Sequence, residues 1–152
     1  MVKAPLGFPL DPEKWEVKVT IVTSTNQANP VAGTWYNIGT NTINIPIGIW
    51  DVYYQAGGVR VAGENETMRL NVTLSTANNS ESNAEYTAVL YGGGASSGSY
   101  RLGGSLTNSF LLDLSTKDTY YFNQRVIDAG AVEINCRWSE GTAILKATCA
   151  YL

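Results

Sequence analysis

Apolar and polar side chains alternate along several stretches of this chain, and this period of two strongly limits the folds that it can adopt. The alternation is clearest in residues 14–22, 67–74 and 131–138. Successive side chains of a β-strand point to opposite faces of a sheet. Each stretch therefore predicts a strand with one apolar face and one polar face.

Clusters of turn-forming residues separate these stretches. They include Asn29-Pro30, Gly57-Gly58, Ala77-Asn78-Asn79-Ser80 and Gly92-Gly93-Gly94. Strand signals at this spacing predict an all-β, antiparallel sandwich of about ten short strands with little helix. Ser139-Glu140-Gly141 lies between the last two strand-like stretches and predicts a hairpin there.

The chain is predicted to form one domain. Pro5, Pro9 and Pro12 fall within residues 1–13, which are predicted to be an extended lead-in. The following residues, 14–152, contain no linker and no repeat, so we expect a single domain there.

Composition excludes several classes of function. The chain has no histidine, a net charge of −3 and only 15% charged residues. Without histidine it cannot form a Ser-His-Asp or Cys-His catalytic centre or a histidine zinc site. It has no basic stripe for nucleic acid and no apolar run of the ~20 residues that span a bilayer. We therefore expect no catalytic residues, metal or cofactor, no nucleic-acid partner and no membrane span.

Some predicted strands are apolar on both faces, which an antiparallel sheet tolerates only when both sides are covered. A homo-oligomeric interface rich in tyrosine is one possible cover. The chain's own loops or its lead-in are the other. The residues that the first interpretation assigns to a subunit interface are Ile49, Tyr53, Val89, Tyr91, Leu111, Tyr121 and Leu152.

The two cysteines and the paired acidic residues give little chemical signal. In the predicted hairpin, Cys136 lies opposite about residue 145, so a disulfide with Cys149 is not expected. The pairs Glu64/Glu66 and Asp113/Asp118 could in principle serve a glycosidase. Both pairs lie in or near predicted turns, where acidic residues are usually solvated, and no cleft signature accompanies them.

Ligand contacts are expected near the glycine-rich loop at residues 92–94, which lacks the features of a phosphate loop. Such loops carry recognition in binding modules. Tyr100 and Arg101 follow it, and an aromatic ring with an arginine can stack on a sugar or bind a carboxylate. The predicted ligand-binding residues are Arg60, Arg69, Tyr100 and Arg101. Alternatively, Tyr100 is a packed strand residue and Arg101 its solvated neighbour.

Several segments resemble known trimeric domains. Residues 33–38 (Gly-Thr-Trp-Tyr-Asn-Ile) and 49–54 (Ile-Trp-Asp-Val-Tyr-Tyr) resemble early strands of tumour-necrosis-factor-like and complement-globular-head jelly rolls. Residues 110–114, 117–123 and 143–152 resemble that family's last strands. The final strand is similar to the trimeric tail-tip domains of phages, namely fibre heads and tail-needle knobs. The resemblance covers residues 14–152.

This resemblance implies a jelly-roll sandwich that forms a homotrimeric knob at the tail tip of a virion. Such a knob binds a host cell-surface component, for example a glycan or a small acidic ligand, or helps to penetrate the envelope. The alternatives are a secreted complement-head or lectin-like binding module, a polysaccharide-cleaving tail enzyme, and a structural tail or capsid decoration without a ligand.

Overall fold

The computed structural model describes residues 15–62, 68–92, 99–136 and 142–150, except the side chains of 57–62, 68 and 99–105. These residues form ten strands, the number predicted, and two short 3-10 turns at Ile38–Thr40 and Ala84–Tyr86. The strands are β1 (Glu16–Ile21), β2 (Asn26–Ala28), β3 (Thr42–Ile45), β4 (Gly48–Ala62), β5 (Met68–Ser75), β6 (Thr87–Gly92), β7 (Ser99–Leu114), β8 (Asp118–Val126), β9 (Ala131–Asn135) and β10 (Ala143–Cys149). The all-β, antiparallel fold class is confirmed for the described chain.

The strands form two sheets. In the first sheet the order is β1, β10, β4, β9, β2, and β7 also pairs with β4. In the second sheet the order is β3, β8, β5, β6. Every pairing between these strands is antiparallel. We call the sides that carry the buried apolar residues the inner faces and the opposite sides the outer faces.

The long strand β4 organises the first sheet. One edge of β4 pairs with β7 from Gly48 to Ala62. Its other edge pairs first with β10, from Trp50 to Gln55, and then with β9, from Gly58 to Val61. Strands β9 and β10 therefore lie end to end along one edge of β4. The described strands do not pair with each other as the predicted hairpin requires, because each pairs with β4 instead, and Ser139-Glu140-Gly141 lie outside the described residues.

Gly57 and Gly58 also differ from their predicted role as a turn. Both lie inside β4, and the register with β7 shifts between Ala56 and Gly58. A β-bulge of this kind lets a strand bend without ending, and glycine tolerates the irregular backbone. The chain can therefore keep one 15-residue strand where two short strands were expected.

The core lies between the two inner faces. Trp50, Val52 and Tyr54 of β4 alternate with more exposed residues and are buried against Leu70, Val72 and Leu74 of β5, as period-two alternation predicts. Tyr54 crosses the core, and its ring meets that of Phe122 edge-on at 5.9 Å between centroids.

Polar residues of the second sheet are also buried, on its outer face. Thr73, Ser75 and Asn123 have no exposed surface. The loop that follows β5 covers them: the Asn123 side-chain amide donates to Ala77 O at 2.9 Å and Ser80 O at 2.7 Å. The chain's own loop thus covers part of a face that the alternation predicted to be wet.

Candidate functional site

Two of the predicted ligand-binding residues are direct cross-strand neighbours. Arg60 of β4 pairs in register with Arg101 of β7 on one side and with Glu133 of β9 on the other. Tyr100, the next position along β7, pairs with Val61. The side chains of Arg60, Tyr100 and Arg101 lie outside the described part of the structure. Their backbone register alone brings together residues that are far apart in sequence.

The third predicted arginine, Arg69, is held by an acidic residue. Its guanidinium donates to both carboxylate oxygens of Asp128, with Nη2–Oδ1 at 2.8 Å and Nε–Oδ2 at 3.1 Å. The Arg69 backbone N–H donates to Oδ2 at 2.9 Å. Hydrogen bonding from Arg69 lowers the pKa of Asp128 and correspondingly raises the pKa of Arg69. The pair ties the start of β5 to the turn after β8.

Arg125, which the sequence analysis did not select, lies on the same outer face, but its contacts differ from those of Arg69. Its Cζ atom lies 4.3 Å from the centroid of the Trp35 ring, in cation–π geometry. Its Nη2 is 3.6 Å from Oε2 of Glu81, an ion pair too long for a hydrogen bond. Its Nε is buried and has no hydrogen-bond partner within the described chain.

Asn71 lies beside Arg125 and is also incompletely satisfied. The two residues are direct register partners on β5 and β8, so they share the outer face. Asn71 is only 8% exposed, and its Oδ1 has no hydrogen-bond partner among the described residues. A buried donor and a buried acceptor thus stand side by side unpaired. Buried polar atoms are rarely left in this state in proteins.

The predicted interface residues lie on two different surfaces. Ile49, Tyr53 and Leu111 are on the outer face of the first sheet, where Leu111 pairs with Asp51 and is 63% exposed. Val89, Tyr91 and Tyr121 are on the outer face of the second sheet, where Tyr91 is 69% exposed. Ile49, Tyr53 and Tyr121 are half-buried. Leu152 lies outside the described residues.

The structure gives little support to a chemical role for the cysteines or the paired acidic residues. Cys136 and Cys149 are both free thiols, as predicted, although the hairpin on which that prediction rested does not form. Asp113 is the last residue but one of β7 in the first sheet, and Asp118 begins β8 in the second. Glu64 and Glu66 lie outside the described residues. Over the described ranges, no three His, Cys, Asp or Glu residues group as metal ligands.

Neither the family models nor the curated proteins contain a match to this chain. Within the described chain, no helix has the length and apolar character needed to cross a membrane.

Proposed function

We propose that the protein is the distal knob of a phage tail needle or tail fibre, acting as a homotrimeric module that binds the host cell surface or helps to penetrate its envelope. The observation that carries this proposal is the exposure of large apolar side chains on the outer faces of both sheets. Leu111 and Tyr91 are 63% and 69% exposed, although the inner faces already enclose a core. Isolated exposed apolar residues are ordinary, but Leu111 shares its face with the half-buried Ile49 and Tyr53.

The strand order supports a jelly roll of the kind that the resemblance implies. Counting β1 with β2, and β9 with β10, as single interrupted strands gives eight strands in all. The first strand then pairs with the eighth, the second with the seventh, the third with the sixth and the fourth with the fifth. This is the pairing expected when one long antiparallel hairpin rolls up into two sheets.

Two separate apolar surfaces suit a cyclic assembly. A ring of identical subunits uses heterologous contacts, in which one surface of each subunit meets a different surface of the next. The outer face around Leu111 and the outer face around Tyr91 are two such surfaces. They flank the same side of the sandwich, because β7 and β6 are the edge strands there and Asn108 of β7 donates to Glu85 O just before β6.

An acidic ligand is supported by the register of Arg60 and Arg101. Like charges directly opposite each other destabilise a sheet unless an opposite charge compensates them. Among the described strands, Glu133 is the one acidic residue in register beside this pair, so the register sets two arginine positions against one glutamate position. A carboxylate or phosphate on the host surface would supply the missing charge. Arg69 and Tyr100 complete the predicted ligand residues.

Light scattering in solution tests the assembly. We expect a mass of about 49 kDa, three times the 16.4 kDa chain. Leu111→Asp should reduce the mass to that of a single chain, because a buried unpaired carboxylate at an interface is costly. Ile47→Asp is the matched control, since Ile47 is 65% exposed but precedes β4 in a turn.

A monomeric wild-type protein at micromolar concentration would contradict the trimer. So would an unchanged mass in Leu111→Asp together with Tyr91→Asp, provided that both variants keep the wild-type circular dichroism spectrum.

A further inference from the structure

We infer that an ionic contact joins neighbouring chains on the outer face of the first sheet, where Asp51 of one chain pairs with Lys18 of the next. This inference rests on the proposed homotrimer and deepens it by naming the surface that meets the face around Leu111. It does not depend on a host ligand.

The first step is the acidic side of this face. Asp51 on β4 pairs in register with Leu111 on β7, and Asp113 lies two residues further along β7, on the same face. Both carboxylates are exposed, and neither forms an ion pair within the described chain. Side chains directly opposite each other on a sheet lie about 5 Å apart, so an interface that covers Leu111 also covers Asp51. A carboxylate buried there without a cation would destabilise the interface.

The second step is the basic side. Lys18 lies on the outer face of the edge strand β1, and it pairs in register with Lys146 of β10. The Lys146 ammonium already has a partner, because its Nζ lies 2.7 Å from Oε2 of Glu16. Lys18 is exposed and forms no ion pair among the described residues. Like charges directly opposite each other destabilise a sheet, so a further anion beside Lys18 would stabilise this edge.

The third step is where these charges lie across the sheet. The strand order runs β7, β4, β10, β1, so the two carboxylates lie towards one edge and Lys18 lies at the other. A cyclic assembly joins one surface of each chain to a different surface of the next. When three such faces surround a common axis, the β7 side of each chain meets the β1 side of its neighbour, and opposite charges meet.

The fourth step is height along the strands. Asp51 and Leu111 lie in one row across the sheet, and Lys18 and Tyr53 lie in the row two residues further along. Two residues of a strand span about 7 Å, and a lysine side chain on its flexible stem bridges such a gap. Rotation about an axis along the strands does not change height, so Lys18 of the next chain arrives level with Asp51 to within one row. The outer face of β1 then lies against the edge that Leu111 and Tyr91 flank.

Other cations are less suited to this contact. Among the side chains that the structure describes, Arg69, Arg125 and Lys146 each form an ion pair with an acidic residue of their own chain. Lys117 is exposed and forms no such pair, but it lies in the turn between β7 and β8, beyond the end of the strand face. Lys117 therefore provides a matched control, with the same charge as Lys18 in a different place.

The test measures how the trimer dissociates on dilution, by light scattering and analytical ultracentrifugation. Asp51→Lys and Lys18→Asp should each raise the concentration of half-assembly about tenfold or more, because each puts like charges together at all three interfaces. The double variant reverses the pair and should return to within about threefold of the wild type. Lys117→Asp changes the net charge as much as Lys18→Asp does, and it should shift this concentration by less than about twofold.

The ionic contact is overturned if either single reversal leaves the trimer as stable as the wild type, or if the double variant is no better than the weaker single variant. Where a reversal fails to fold by circular dichroism, Asp51→Asn, Lys18→Gln and their combination decide, because their effects should then be less than additive. Where dilution leaves the trimer intact, the rate of chain exchange between fluorescently labelled trimers gives the same comparison. A monomeric wild type refutes the homotrimer itself, whereas a trimer that ignores these reversals refutes this contact alone.

Discussion

At the scale of single residues, the Tyr54 hydroxyl is the polar group that links the two sheets across the core. It lies 2.7 Å from Val72 O and 2.8 Å from Tyr86 O, and it accepts from the Ala88 N–H at 2.9 Å. Burial raises the pKa of Tyr54 to about 12. The hydroxyl therefore stays protonated in the folded protein at pH values that ionise it in the unfolded chain.

Tyr54→Phe should lower the free energy of unfolding by about 1–3 kcal/mol at pH 7, because the buried Val72 carbonyl and the partly buried Ala88 N–H lose the hydroxyl as a partner. The raised pKa gives a second signature. The contribution of the protonated Tyr54 hydroxyl to the free energy of unfolding is fully present below pH 10 and is lost as the pH rises to about 12. The total loss is about 3 kcal/mol. Urea unfolding at pH 7, 9.5 and 11.5 should therefore show a shallower alkaline loss in Tyr54→Phe. Tyr120, whose pKa is also raised to about 12, accounts for part of the remaining loss.

Tyr53→Phe is the matched control for this substitution. Tyr53 is half-buried on the outer face, and its hydroxyl donates to Gln55 Oε1 at 3.2 Å. The Tyr53→Phe variant should lose little stability at any of these pH values. Equal losses in the two variants would contradict the role assigned to Tyr54.

Asp128 gives the corresponding prediction on the acid side. Because its pKa is lowered by Arg69, its contribution is present above the pKa of an unfolded aspartate, near 4, and is lost as the pH falls below that value. Asp128→Asn should be less stable than the wild type at pH 7, and the difference should shrink as the pH falls below about 4. Thermal unfolding across this range measures it. A constant difference at all pH values would show that the Asp128 charge makes no contribution.

At the scale of elements, the loop after β5 acts as a built-in cover for the second sheet. Asn123 binds it at three points, because its Oδ1 also accepts from the Asn79 N–H at 3.3 Å. Asn123→Ala should cost about 2–3 kcal/mol and speed amide hydrogen exchange in residues 76–82 more than elsewhere. Asn44→Ala is the control, because Asn44 is exposed and its Oδ1 only accepts from Thr119 Oγ1. Uniform exchange changes across the chain would contradict a local anchoring role.

The sequence predicts elements well where one strand face alone makes the core. Residues 14–22 and 67–74 alternate clearly, and β1 and β5 form there. The sequence predicts poorly which strands pair with each other. The turn signal at Ser139-Glu140-Gly141 favoured a hairpin, yet β9 and β10 both pair with β4. A local turn signal cannot report the competing edge of a strand about 80 residues away in the sequence.

For the candidate sites, too, the sequence does not show which distant residues the fold brings together. Arg125 occupies a polar position of β8 that no sequence pattern singled out. Its importance comes from Trp35, Asn71 and Glu81, which reach it only through the fold. The sequence singled out Arg60 and Arg101 as separate candidates, and only the register of β4 and β7 makes them neighbours.

At the scale of the whole molecule, assembly should be visible in stability as well as in mass. If chains dissociate when they unfold, a trimer gains about 1 kcal/mol per chain for each tenfold increase in concentration, following mass action. For a domain of this size, that corresponds to a rise in Tm of about 2–4 °C per tenfold. Calorimetry between 5 and 500 μM, about a hundredfold range, should show this rise in the wild type and in Ile47→Asp.

Leu111→Asp should instead have the same Tm over the whole concentration range, because the unfolding equilibrium of a monomer does not depend on protein concentration. Its core should remain intact, since Leu111 lies on the outer face and does not belong to the buried cluster. The comparison separates two explanations of the exposed residues. If Tm is independent of concentration in the wild type while Leu111→Asp is equally stable, the outer faces tolerate water and need no second copy of the chain. If the Tm rises with concentration in the wild type and in Ile47→Asp but not in Leu111→Asp, the outer face around Leu111 is a subunit contact.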